Sequence, residues 1–372
     1  MAAAKRILLL YITELSGHHR AAIAVEKALK FLNPQNHVYN LNSFNYTNPI
    51  LEKIINRTYT GIIKRTPEVW EYLYDNPKVV INTQRLKEMM HRYNSSKMKT
   101  LIEDFKPDVI ACTQAFPCGM VADYKVTYAS GIPLVAIVTD FYPHSYWIYE
   151  SVDRYVVASE EAKTKLVENG ISPNKVLILG IPIDRGFKAQ LNAHSLFEQF
   201  GFEKGVKTIL VMGGGGGLGP IKRMVFALDK INSKIQIIVV TGTNTRLYSY
   251  LIRHSKNFKK KAAIIGYANN MPELMSISDM IITKPGGLTV SEALARSLPI
   301  IIINPIPGQE AKNSQFLLQQ RVALKANDEK DLAILVDSLC NTPSKLEAMK
   351  EAATALGRPD SALNIAATIL EL

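Results

Sequence analysis

What most restricts this chain is a recurring pattern. Short apolar runs are each closed by a glycine-rich or polar loop and followed by a stretch with helical spacing. The clearest instance surrounds Thr283–Asn313. Met280-Ile281-Ile282 reads as a strand, Pro285-Gly286-Gly287 breaks the chain, and Leu288–Leu298 carries Val290, Leu294 and Leu298 on one helical face. A second apolar run, Ile300–Ile303, ends in the polar loop Asn304-Pro305-Ile306-Pro307-Gly308-Gln309-Glu310. Strand, turn, helix and strand in this order specify an α/β chain with a parallel sheet. In such a sheet ligands gather at the carboxyl ends of the strands.

The pattern fills both halves. In the first, Arg6–Ile12, His37–Leu41, Val109–Cys112, Leu134–Val138, Arg154–Ala158 and Val176–Leu179 read as strands. Arg20–Leu32, Ser95–Phe105 and Ser159–Asn169 read as helices between them. In the second, Thr208–Met212, Ile235–Val240, Ala263–Ile265 and Ala323–Lys325 join the two strands above. Met271–Ile277, Asp328–Leu339, Pro343–Leu356 and Ser361–Leu370 read as helices. A length of 372 residues suits two doubly wound domains of roughly 150 residues each. The expected division is a first domain over 1–184, a linker over 185–205, a second domain over 206–355 and a terminal helical segment over 356–372.

One stretch departs from the pattern. Asn45–Asn94 interleaves Tyr46, Tyr59, Trp70, Tyr72, Tyr74 and Tyr93 with Lys53, Arg57, Lys64, Arg65, Arg85 and Arg92, and prolines cut it into short helical pieces. Rings and cations together suit a membrane interface or single-stranded nucleic acid. A plain insertion packed on the first domain is the bland alternative. The net charge of +11 is concentrated: residues 185–261 hold 14 Lys and Arg against 3 Asp and Glu. Anionic partners follow from such an excess, or a solvated basic face. Cys112, Cys118 and Cys340 lack metal-ligand spacing and fit a reducing cytosol. No apolar run reaches the roughly 18–20 residues that span a bilayer, and Ile7–Ile12 is too short for a signal-peptide core. The expectation at this point is a soluble or a peripheral protein.

Several loops carry residues suited to chemistry. The turn at Gly286-Gly287 points free backbone N–H groups and a helix dipole at one spot, a ready phosphate site. Thr289 and Ser291 add hydroxyls there, and Glu292 stands where a carboxylate would accept from a ribose diol. Ser16-Gly17-His18-His19 follows the first strand, so a histidine lies beside a helix N-terminus, placed for proton transfer or simply for capping. Asp140 and His144 follow strand Leu134–Val138 at the same edge, with loop capping as their plain alternative. The run Gly213–Gly217, with Gly213, Gly214 and Gly215 leading, follows a strand and permits close backbone approach to a ligand. It is neither a Walker motif nor a clean dinucleotide fingerprint. Thr241 opens a further loop at that edge.

Taken together, the chain resembles glycosyltransferase family 28, in its glycolipid branch of monogalactosyl- and processive monoglucosyl-diacylglycerol synthases. The residues that carry the resemblance are Gly17-His18-His19-Arg20-Ala21, Val138-Thr139-Asp140-Phe141, Val152-Asp153-Arg154-Tyr155, Gly180-Ile181-Pro182 and Gly213–Gly219. Gly266-Tyr267, Thr283–Thr289 with Ser291-Glu292-Ala293, and Pro307-Gly308-Gln309-Glu310 continue it. The resemblance implies a GT-B fold: two Rossmann-like domains facing across a cleft, with the last helix returning to the first. It implies an inverting transfer of glucose or galactose from a UDP-sugar to the hydroxyl of diacylglycerol, without a metal or other cofactor. Carried over, His19 is the base, with Asp140 beside it in the catalytic set. Gly286, Gly287, Leu288 and Thr289 hold the diphosphate, Glu292 the ribose and Tyr267 the uracil region. Gln309 and Glu310 face the sugar, and Gly213, Gly214, Gly215 and Thr241 join the donor side. Arg65, Trp70, Tyr72 and His144 fall to the acceptor and membrane. The family usually has a glycine where this chain has His18, which stiffens the loop and leaves the choice between His18 and His19 open.

The implied partners are a UDP-sugar and diacylglycerol in an anionic membrane, with no nucleic acid. Three other readings stand beside this one: N-acetylglucosamine transfer to a polyprenyl-diphosphate cell-wall intermediate, a non-catalytic UDP-sugar-binding regulator, and single-stranded nucleic-acid binding, which would be strongly salt-dependent and indifferent to UDP.

Overall fold

The computed structural model describes residues 3–14, 16–47, 97–191 and 194–372. The chain divides into two units, each built on one six-stranded sheet in which every pairing is parallel. The first unit comprises Met1–Arg185, Ile306–Lys312 and Asp360–Leu372, and the second Gly186–Pro305 and Asn313–Pro359.

In the first unit the order is β1 (Arg6–Tyr11), α1 (Gly17–Leu32), β2 (His37–Asn42), α2 (Ser43–Thr47), α3 (97–105), β3 (Val109–Cys112), α4 (Ala115–Thr127), β4 (Leu134–Ile137), β5 (Arg154–Val157), α5 (Glu160–Glu168) and β6 (Val176–Ile178). The sheet runs β2-β1-β3-β4-β5-β6. Its inner strands are apolar without alternation because both faces are covered. One face packs Leu8, Ile110, Ala136 and Tyr155 with Met98, Leu101, Met120 and Leu166 of the helices. The other packs Ile7, Leu9, Val109 and Val135 on Val25, Ala28 and Leu29 of α1.

The second unit holds α6 (His194–Phe200), β7 (Lys207–Met212), α7 (Ile221–Leu228), β8 (Ile235–Val240), α8 (Thr245–Ser255), β9 (Lys261–Ile265), α9 (Met271–Ser276), β10 (Met280–Thr283), α10 (Gly287–Ala295) and β11 (Ile300–Ile303). Then come α11 (Gln309–Gln319), whose first turn groups with the first unit, β12 (Ala323–Ala326), α12 (Glu329–Asn341) and α13 (Pro343–Leu356). This sheet runs β12-β11-β10-β7-β8-β9. The last helix, α14 (Ser361–Glu371), belongs to the first unit. It lies on α1, where Ala24 and Ala28 meet Ala362 and Ala366; small residues on both sides let the backbones approach.

The strands stand where the apolar runs placed them. Five helices were not read from sequence: α2, α4, α6, α8 and α11. In α4, Pro117 and Gly119 obscure the helical signal, yet Gln114 caps it by accepting from the Phe116 amide and the helix buries Ala115, Cys118, Met120 and Val121. In α8 a basic sequence hides an amphipathic helix capped by Asn244, which accepts from the Leu247 amide. The segment read as linker contains α6.

Candidate active site

Each sheet reverses its winding at one place. In the first unit the chain builds β1 and β2 in one direction and then crosses to β3 on the other side of β1. In the second it builds β7, β8 and β9, then returns to β10 on the other side of β7. Adjacent connections leave toward opposite faces at such a point, which opens a crevice outside the carboxyl ends of the strands. The reversals therefore single out the loops after β1 and β3, and those after β7 and β10.

In the first unit the loop after β1 leads into α1, whose first turn carries His18 and His19. The Ser16 hydroxyl caps α1 by accepting from the His19 amide at 3.2 Å. The His19 ring stacks on Tyr11, with centroids 4.1 Å apart and planes 9° from parallel. Burial pushes the His19 pKa below its ordinary 6.5, with Glu14 opposing the shift. A neutral imidazole at neutral pH is the form a base requires. The His18 ring turns inward: its Nδ1 lies 3.0 Å from the Thr113 carbonyl and 2.8 Å from Thr139 Oγ1. Burial lowers its pKa to about 4, the Thr113 hydrogen bond working against the shift. Asp140 is buried in the loop after β4. The neighbouring Phe141 carbonyl is held by Ser159 Oγ at 3.0 Å. His144 begins the 3-10 turn Ser145–Trp147, its ring against Tyr146 and Trp147. Arg65, Trp70 and Tyr72 lie outside the described residues.

In the second unit the glycine loop after β7 is an ordered turn, not a floppy tract. The Gly217 amide donates to the Gly214 carbonyl and the Leu218 amide to Gly213. The loop closes against the one after β8, where the Thr243 amide donates to the Gly215 carbonyl at 2.9 Å. At Gly217, φ is +57° and an added Cβ would stand 1.9 Å from the Thr241 carbonyl oxygen. Gly217 is therefore required by backbone-to-backbone packing, a reason distinct from access for a ligand. Gly214 differs, since a Cβ there meets nothing within 4 Å. Thr241 is itself buried, its hydroxyl directed to the Ile265 carbonyl.

The loop after β10 forms the other wall of this reversal. Gly286 is the N-cap of α10 and offers no side chain to satisfy the first turn. The amides of Gly287, Leu288 and Thr289 are the ones an α-helix leaves without internal acceptors, and an added Cβ on Gly286 would meet open space. Thr283 Oγ1, at the end of β10, is buried and makes no hydrogen bond among the described residues. A buried hydroxyl without a partner carries a desolvation cost that an anionic ligand would relieve. Glu292 is buried on the same helix, and Tyr267, after β9, is half-exposed. Asn313 of α11 fastens the turn, its Nδ2 donating to the Pro285 carbonyl at 3.1 Å. Sequence reasoning assigned Asn313 no role, because an asparagine inside a helix carries no local signal. Gln309 opens α11, and Glu310 Oε2 accepts from the Ile306 amide at 2.9 Å. Among the described residues no group of three or more His, Cys, Asp or Glu is arranged to hold a metal ion.

Comparison with known proteins follows the two units. Residues 18–183 match the family described as monogalactosyldiacylglycerol (MGDG) synthase, and residues 208–365 match the glycosyltransferase family 28 C-terminal domain. The processive diacylglycerol beta-glucosyltransferase of Bacillus pumilus is 30% identical over 368 residues, which is 99% of this chain and 95% of that protein. Among solved structures, MurG of Acinetobacter baumannii superposes with a TM-score of 0.64 at 14% identity, covering 99% of this chain and 100% of that one. HepE of Anabaena in complex with UDP gives 0.57 at 14% identity, with the same coverage. At these identities the structural likeness speaks for the fold alone.

Proposed function

The chain belongs to glycosyltransferase family 28, in the branch of the diacylglycerol glycosyltransferases, and from that premise we propose that it transfers a hexose from a UDP-sugar to the hydroxyl of diacylglycerol. The observation that carries this reading is the 30% identity to the Bacillus pumilus glucosyltransferase, which runs through both units. The relative's name favours glucose as the sugar. The site chemistry supports the reaction class. In an inverting transfer the acceptor hydroxyl loses its proton to His19 as its oxygen bonds the anomeric carbon, and the bond from that carbon to the diphosphate breaks. Charge then grows on the departing UDP, and the amides of Gly287, Leu288 and Thr289, with the Thr283 hydroxyl, are the groups available to receive it. Asp140 joins His19 on the acceptor side. Gly214, Glu292 and Tyr267 complete the donor side. Gly213 and Thr241 act there by holding the loop that includes Gly215, and Gln309 and Glu310 are the residues assigned to the sugar.

A lipid acceptor demands contact with a membrane. No helix among the described residues is long and apolar enough to cross one, so the protein would dock on a surface. The basic face of the second unit suits anionic headgroups: Arg246 and Arg253 lie on α8, and Lys222 stacks its ammonium 3.8 Å over the Tyr250 ring.

The test is transfer from UDP-glucose, UDP-galactose and UDP-N-acetylglucosamine to diacylglycerol in anionic vesicles, with His19→Asn alongside. Product from a hexose donor, lost in the variant while UDP still binds, is the expected result. Product only from UDP-N-acetylglucosamine, or none from any donor, would overturn the proposal.

A further inference from the structure

The bonds of His18 are not those of a solvent-facing side chain. Its ring and its backbone grip the same residue from two sides. Nδ1 lies within hydrogen-bond distance of the Thr113 carbonyl, and the Thr113 hydroxyl donates to the His18 carbonyl at 2.9 Å. Nδ1 also meets Thr139 Oγ1, whose hydroxyl reaches the Thr113 carbonyl at 3.3 Å. A carbonyl only accepts, so the 3.0 Å approach of Nδ1 to Thr113 is a hydrogen bond in the tautomer that carries its proton on Nδ1. Three segments are thereby tied together at the carboxyl edge: the start of α1 and the loops after β3 and β4. The first two flank the winding reversal of the first unit.

The position of these partners in the chain gives the contact a purpose. His18 immediately precedes His19, and Thr139 immediately precedes Asp140. A bond between His18 and Thr139 therefore fixes the backbone one residue before each of the two groups assigned to catalysis.

We infer that His18 is a positioning residue, a latch whose Nδ1–H bonds to Thr113 and Thr139 set the relative placement of His19 and Asp140. This rests on the transferase reading above. The low proton affinity of the ring agrees with it, since a latch must stay neutral across the working pH range whereas a base must exchange protons. Sub-ångström alignment of reacting groups is where such a latch acts, and a displacement of about 1 Å costs on the order of 100-fold in rate.

Two substitutions separate a latch from a base. The side-chain amide of asparagine reaches the place of Nδ1 but not that of Nε2, and it takes up no proton. His18→Asn should keep kcat within about threefold of the unaltered protein. His18→Ala should lower kcat by about 100-fold while leaving the KM for UDP-sugar nearly unchanged, because the loops assigned to the diphosphate and the ribose belong to the second unit. A folded His18→Asn protein as inactive as His19→Asn would overturn the inference and make His18 itself the base. An unchanged kcat in His18→Ala would overturn it as well. If the unaltered protein transfers no sugar at all, the transferase reading fails separately. The ring-nitrogen NMR shifts of His18 then decide whether the latch exists: a proton held on Nδ1 with bare Nε2 at pH 7 supports it, and a proton on Nε2 removes it.

Discussion

Replacing Gly217 by alanine should unsettle the second unit far more than the same change three residues earlier. Both glycines have left-handed φ, +67° at Gly214 and +57° at Gly217, and an L residue in that region costs about 1–2 kcal/mol. At Gly214 the added methyl meets nothing within 4 Å, so the conformational cost is the whole cost. At Gly217 the methyl carbon would lie 1.9 Å from the Thr241 carbonyl oxygen, where ordinary contact begins at 3.4 Å. The obstacle is backbone at the end of β8, which is buried along its length, so it cannot swing aside as a side chain would. Parting the two loops also strains the Thr243 to Gly215 hydrogen bond. The sum is about 3–4 kcal/mol for Gly217→Ala, in the range reserved for named steric mechanisms. For a unit of this size each kcal/mol lowers the melting temperature by about 2–4 °C. Calorimetry should therefore show a drop of roughly 6–16 °C for Gly217→Ala and roughly 2–8 °C for Gly214→Ala. Equal shifts would refute the packing argument and return the glycine run to the status of a loose tract.

Four further outcomes are expected. His19→Asn should reduce transfer by about 100- to 10,000-fold, the range for loss of a positioned base, with UDP affinity unchanged by titration calorimetry. The pH profile of kcat/KM should hold level below pH 6.5 before its acid limb begins, because burial lowers the His19 pKa and keeps the base neutral. Stability should respond to His18 in the same direction. Its folded pKa of about 4 lies below the unfolded 6.5, so the unfolded chain binds the extra proton and stability falls as pH drops from 6.5 toward 4. Urea titrations should show this slope, at most about 1.4 kcal/mol per pH unit, flattened in His18→Asn. Finally, Arg246→Glu with Arg253→Glu should weaken binding to anionic vesicles by about 2 kcal/mol or more, with an effect that fades at high salt.

A good part of this protein was legible in its residues. The apolar runs without alternation could be satisfied only by strands covered on both faces, so the parallel sheets and their places in the chain followed from solvation alone. The turn at Gly286-Gly287 announced a helix start, since nothing else in the run relieves the backbone there. Helices α4, α8 and α11 were not legible, because their stability comes from a face buried against the sheet or from a cap, and not from propensity. The segment carrying Arg65, Trp70 and Tyr72 was read from composition alone.

The roles within the sites divide along the same line. Sequence alone placed His19, Asp140, Gly286 and Thr289 at strand ends, because strand ends are local. It could not say that Gly217 faces the Thr241 carbonyl, that Tyr11 stacks on His19, that Asn313 holds the Pro285 turn, or that His18 turns inward to Thr113 and Thr139. Apart from Tyr11 and His19, which the turn between β1 and α1 brings together, each of those pairs is far apart in the chain or depends on the order of strands in the sheet. Strand order is settled by which apolar faces bury one another, a property of the whole fold that no local pattern encodes. The sequence by itself therefore determined the α/β class and the loops where chemistry is done. Only the tertiary structure decided which glycine serves packing and which stays open, and which of two adjacent histidines is held inward, because those outcomes depend on contacts made across the sheet.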